Sequence, residues 1–252
     1  MNTEDVEIPA RFCGPPASGN GGYVCGRIAK GLPGTVAVRL KAPPPLDTPL
    51  RREWSAGSSR LLQGSALIGE GRVCETELEA PAPPRLAHAE QAAAHYPGFK
   101  SHFFPRCFVC GPARGVGDGL RIFPGPLADG VSYAAPWVPD RSLADADGRV
   151  ASEFVWAALD CPSAFTLTPL PEGAAIVLGE LCARLPGTLN VDEPAVVSAW
   201  PIGREGRRHV AGTAIHTPAG ELVAVARATW IEVPLSQWLP AAAATPAAPA
   251  GT

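Results

Sequence analysis

Apolar and polar positions divide the chain into two patterned blocks, roughly residues 9–78 and 119–237. Each block contains a helical stretch, residues 21–30 in the first and about 150–167 in the second. In the second, Val150, Phe154, Ala157 and Ala158 recur at helical spacing, and Pro162 ends or bends the helix. Runs that alternate or are rich in β-branched residues follow. They cover 35–41, 50–56, 60–68 and 72–78 in the first block, and 174–183, 195–201, 208–217 and 221–233 in the second. Gly69-Glu70-Gly71 and Pro218-Ala219-Gly220 read as hairpin turns. Two further strands, 119–124 and 130–137, precede the second helix. A helix beside an antiparallel meander must bury its apolar face on the sheet, so each block is a two-layer α+β unit.

The blocks also resemble each other. Trp54-Ser55-Ala56-Gly57 matches Trp200-Pro201-Ile202-Gly203. In the same order, the run from Arg60 through Gly64 to Leu67 matches the run from Arg208 through Gly212 to Ile215. An internal duplication is the economical reading. Three stretches look unlike core. Residues 1–8 form a polar start. Residues 79–118 carry many prolines and read as a connector, with a short Ala-rich helix at 85–94. Residues 238–252 have little to bury and read as a disordered tail.

Composition narrows the function classes. The chain has 252 residues and a net charge of −3, with a pI near 6.0. That argues against a general nucleic-acid binder, which needs clustered Lys and Arg. No window holds the run of about 18 apolar residues that a membrane helix requires, so no membrane partner is expected. Glu4, Asp5 and Glu7 make the start unlike a signal peptide. Seven scattered cysteines suit reduced thiols, and the expected location is cytoplasmic.

Certain motifs carry a resemblance. Asn20-Gly21-Gly22-Tyr23-Val24, opening a helix, is similar to the Gly-Gly helix start of acyl-CoA thioesterases of the 4-hydroxybenzoyl-CoA and phenylacetyl-CoA type. The run 36–45 looks like the strand that follows that helix. Cys107-Phe108-Val109-Cys110-Gly111, followed by Gly119-Leu120, resembles the lead-in of many members, and Asp160 sits where their helix often carries an acid. Together these cover about 200 residues and resemble the double hotdog fold of the acyl-CoA thioesterase-like superfamily. The resemblance implies a thioester hydrolase acting on acyl-CoA or an acyl-carrier thioester, possible homo-oligomers, and a site between two units. A fold hosts many functions, so the site needs its own argument.

Thioester hydrolysis needs a group to hold the carbonyl oxygen as it gains charge, and a carboxylate to attack or to activate water. A helix N-terminus supplies unpaired N–H groups and a positive dipole end. Gly21 and Gly22, with Asn20 as N-cap and Tyr23 beside them, fit the first role. Asp160, within an apolar helical stretch, fits the second; Glu153 competes with it, about two helical turns earlier. The first helix has the glycines and no carboxylate, while the second has carboxylates and no Gly-Gly pair. One composite site between the halves is therefore expected, with its mirror image inactive.

Other signals are weaker. Cys107 and Cys110 form one pair, and structural zinc needs four ligands. His102 and Cys161 would contribute to such a set only by coincidence, so a packed turn before a strand is the reading, and no metal or redox cofactor is expected. His102-Phe103-Phe104-Pro105 is similar to the His-Phe-Pro of hotdog dehydratases, with Glu153 as their helix acid, at a much longer spacing. Arg60 and Arg208 are either phosphate contacts or surface strand residues, and Trp54 and Trp200 are sheet packing. The alternatives to a thioesterase are a non-catalytic acyl-thioester-binding protein and a dehydratase or hydratase.

Overall fold

The computed structural model describes residues 2–167 and 169–237; the expected tail at 238–252 lies outside the described residues. The first unit holds β1 (Asn2–Val6), α1 (Gly21–Ala29), β2 (Thr35–Leu40), β3 (Leu50–Trp54), β4 (Ser58–Gln63) and β5 (Ala66–Cys74). Helix α2 (Leu86–Ala93) lies in the connector. The second unit holds β6 (Gly125–Pro126), β7 (Tyr133–Trp137), α3 (Ser152–Ala158), α4 (Cys161–Phe165), β8 (Ala174–Arg184), β9 (Ala195–Glu205), β10 (Arg208–His216) and β11 (Leu222–Pro234).

Among the described residues the strands form one antiparallel sheet in the order β1-β3-β4-β5-β2-β8-β11-β10-β9-β7-β6. The order spreads identically from a central seam. On one side run β2, β5, β4 and β3; on the other run their counterparts β8, β11, β10 and β9. The duplicated architecture is thus visible in the topology. At the seam Val36 faces Ala183 and Arg39 faces Glu180. Strand alternation buries Val36 and Val38 in the main core with α1, while Ala37 joins a smaller cluster with Cys182 and Val225.

Several expectations need correction. Residues 2–6 are a strand rather than a polar leader: β1 pairs with β3, and Glu4 bonds the buried Arg52 at 3.2 Å. The polar residues of this edge find cross-strand partners, which the sequence pattern alone did not reveal. Gly69-Glu70-Gly71 is no turn. The hairpin turns at Gly64, whose φ is +57°, and β5 runs straight through Gly69 and Gly71. Those glycines let α1 approach the sheet, since a Cβ at Gly69 would lie 2.8 Å from Ile28 Cδ1. Gly64 therefore sits in a turn, whereas its sequence match Gly212 pairs with Trp200 inside β10. The duplication holds for elements and fails at these anchors. Residues 119–124 are not a sheet strand; Leu120 and Ile122 donate to the Phe108 and Val109 carbonyls instead. The connector is correspondingly a core segment, with Phe108 and Val109 fully buried.

Gly69→Ala is expected to lower stability by about 1–3 kcal/mol, because the added methyl pushes Ile28 off its packing position. Urea unfolding measures it. No helix among the described residues is long and apolar enough to cross a membrane.

Candidate functional site

The second helical stretch breaks into α3 and α4, with Pro162 in the first turn of α4 and Asp160 at its N-cap position. The break places the Asp160 side chain against the start of α1, in the other unit. Asp160 is only 2% exposed. Its Oδ2 accepts the Gly22 backbone N–H at 2.8 Å and the Asn20 Nδ2 at 2.9 Å. Its Oδ1 is buried and has no partner among the described residues. Asn20 caps α1, accepting the Tyr23 N–H at 2.9 Å. The caps and the carboxylate therefore form one network that joins the halves.

Two glycines allow this approach. Cβ atoms at Gly22 and Gly26 would lie 2.5 Å from Asp160 Cβ and 2.6 Å from Glu153 Cα. They sit one helical turn apart on the face of α1 that meets α3. Burial pushes the Asp160 carboxyl up to about 7, opposed by the Gly22 N–H and the Asn20 amide. The Trp230 indole donates to Ser163 Oγ at 2.9 Å, and that hydroxyl donates to the Asp160 carbonyl at 2.9 Å. These two residues fix the Asp160 backbone and were not singled out in the sequence; a polar residue three positions after the carboxylate was the available signal.

A cavity of about 470 Å³ opens at this network. Asn20, Gly21 and Asp160 line its polar end, and Leu178, Phe165 and Phe104 are among its apolar walls. Its lining draws on both units and the connector. A larger depression, about 550 Å³, is lined by the ion-paired side chains of Arg39, Glu180, Arg60 and Glu53. Arg60 is committed there to Glu53 at 2.9 Å. We regard the smaller cavity as the candidate site, since it holds a buried carboxylate beside a helix N-terminus.

The remaining sequence candidates are placed elsewhere. Tyr23 stacks on Phe12 with ring centroids 4.3 Å apart, and its hydroxyl accepts from Arg27. Its N–H is taken by Asn20, so neither end of Tyr23 faces the cavity. Glu153 lies in the first turn of α3, against Gly26, and is not among the cavity-lining residues. His102 does line the cavity, but its Nε2 lies 3.3 Å from Cys110 Sγ and its Nδ1 accepts the Phe104 N–H. It therefore makes no contact with Glu153.

The cysteines converge. The sulfurs of Cys107, Cys110 and Cys161 all lie within 4.8 Å of one another and are buried. The Cys110 and Cys161 thiols donate to Cys107 and hold it well below the ordinary thiol range, while those two are pushed up. Cys161, 54 residues from Cys107, joins the pair with its sulfur 3.6 Å from that of Cys107.

Comparison with known proteins rests on structure. No protein-family model matches the chain, and no curated protein matches it in sequence. Solved structures do match over nearly the whole chain. A tesB protein of Mycobacterium avium subsp. paratuberculosis matches with a TM-score of 0.56 at 13% identity, covering 92% of this chain and 93% of that one. An acyl-CoA thioesterase II, TesB2, of Mycobacterium marinum matches with a TM-score of 0.56 at 12% identity, covering 94% and 95%. At such identities the likeness is one of fold: the chain has the double hotdog fold, in the α+β class.

Proposed function

We propose that the chain hydrolyses acyl thioesters, carried by coenzyme A or an acyl-carrier protein, at one composite site between its halves. The observation that supports this most is the Asp160 carboxylate of the second unit, held by the N-terminus of the first unit's helix at the polar end of an apolar cavity. The acyl chain occupies the apolar part, with its carbonyl at the α1 N-terminus.

The roles divide by which atoms are already committed. Gly22 N–H and Asn20 Nδ2 hold Asp160 Oδ2, so they orient the base. Among the described residues no acceptor takes the Gly21 N–H, and Gly21 lines the cavity. It polarises the thioester carbonyl together with the positive end of α1. Oδ1 takes a proton from water, the water oxygen bonds the carbonyl carbon, and the tetrahedral intermediate expels the thiolate. The proton on Asp160 then passes to the leaving sulfur, giving acid and thiol. The acyl-CoA thioesterase II from Mycobacterium marinum, alike in fold, carries the activity proposed here.

The test is thiol release from a panel of aliphatic and aromatic acyl-CoAs and an acyl-carrier thioester. Turnover on any of them supports the proposal. Saturable binding with no thiol released would overturn it in favour of an acyl-thioester-binding protein. Glu153→Gln is expected to change kcat/KM by less than about threefold, as befits a side chain outside the site. Steady-state kinetics on the best substrate of the panel check this. A large loss would move the base to α3's first turn.

A further inference from the structure

We infer that Cys107, Cys110 and Cys161 bind a zinc ion beside the cavity as three thiolate ligands, leaving the fourth position to a water molecule. The inference does not rest on the proposed thioesterase reaction.

The spacing fits tetrahedral coordination. Zinc–sulfur bonds of about 2.3 Å require sulfurs about 3.8 Å apart. Cys107 and Cys161 sulfurs are 3.6 Å apart, and all three lie within 4.8 Å of one another. His102 Nε2 lies 3.3 Å from Cys110 Sγ alone, and its Nδ1 accepts the Phe104 N–H, so it stands beside the three sulfurs and not among them.

The local backbone is a tight turn. Gly111 then closes the turn, donating to the Cys107 carbonyl at 3.0 Å. A Cβ at that position would meet the Cys107 carbonyl oxygen at 2.5 Å. The turn brings Cys107 and Cys110 together, and Cys161 reaches them from the start of α4. A disulfide would use two of the sulfurs and strand the third; a tetrahedral ion uses all three.

Binding displaces protons from the thiols. The ion would tie the connector to the first residue of α4, directly after Asp160.

The test uses the full chain, purified under reducing conditions from zinc-supplemented medium. Elemental analysis is expected to give one zinc per chain, and zinc-edge absorption a shell with three sulfurs. Replacing zinc by Co²⁺ should produce thiolate-to-cobalt charge transfer and tetrahedral visible bands. Cys161→Ala should lose most of the metal, and Cys74→Ser should keep it. Chelation should lower the Tm of the wild type by several degrees. If Cys161→Ala does not fold, the wild-type shell and the Co²⁺ spectrum still decide. Fewer than three sulfurs in the shell, no cobalt band in the reduced chain, or a native Cys107–Cys161 disulfide would each overturn the inference.

Discussion

Asp160→Asn is expected to cut kcat/KM for thioester hydrolysis by about 10²–10⁴-fold, the usual contribution of a general base, with little change in Tm. The amide oxygen can take over from Oδ2, accepting the Gly22 N–H and the Asn20 amide that now meet there. The other position becomes an NH₂ group. That atom can no longer receive a proton from water, which is the one function Oδ1 is free to perform. Stability behaves differently because the carboxylate is buried without a cationic partner. Its desolvation already pushes its pKa up to about 7, so a neutral isostere removes a cost as well as a bond acceptor. Thiol release and thermal unfolding, measured on the same preparation, separate the two effects. Activity within tenfold of wild type, in a variant with unchanged Tm, would place the base elsewhere.

Much of this was legible in the sequence, and the reasons are specific. The Gly-Gly start of α1 and the meander strands follow from local pattern, since caps, alternation and β-branching act over a few residues. The helix break at Asp160 was signalled by Pro162. What stayed hidden was pairing across the fold. Glycines inside β5 look like turn glycines until Ile28 is seen above them. The acidic run at the N-terminus looks solvated until Arg52 is placed opposite Glu4. The same limit applies to the candidate site. Asp160 could be singled out as a carboxylate in an apolar helix, whereas the Trp230–Ser163 link that fixes its backbone spans 67 residues. In the cysteine trio Cys161 could be named only as a chance partner for Cys-x-x-Cys, because what brings its sulfur to 3.6 Å from Cys107 is the start of α4 on another element.

Gly22→Ala and Gly21→Ala, each adding one methyl at adjacent positions, are expected to fail in opposite ways. At Gly22 the new Cβ would lie 2.5 Å from Asp160 Cβ, 2.6 Å from the Trp156 carbonyl oxygen and 3.0 Å from Ala157 Cα. These are backbone atoms or sit directly on it, so no rotamer change relieves the clash. Helices α1 and α3 must separate, at a cost of about 3 kcal/mol. In a chain of this length each kcal/mol shifts Tm by roughly 2–4 °C, so a fall of about 6–12 °C is expected. Activity is lost with it, because the 2.8 Å bond from Gly22 N–H to Asp160 cannot survive the separation. At Gly21 the new Cβ meets Leu178, 2.8 Å from Cδ2 and 3.2 Å from Cβ, and comes within 3.5 Å of Asp160 Oδ2. The end of Leu178 can rotate away into the cavity it lines and its Cβ must give by only a few tenths of an ångström, so stability should change by about 1 kcal/mol. The methyl and the displaced leucine then crowd the space where the carbonyl must sit, and kcat/KM falls while Tm changes little. Thermal melts and thioester kinetics on both variants make the comparison. An unchanged Tm in Gly22→Ala would show that α1 and α3 do not pack through Gly22, and an active Gly21→Ala would remove that N–H from the oxyanion role.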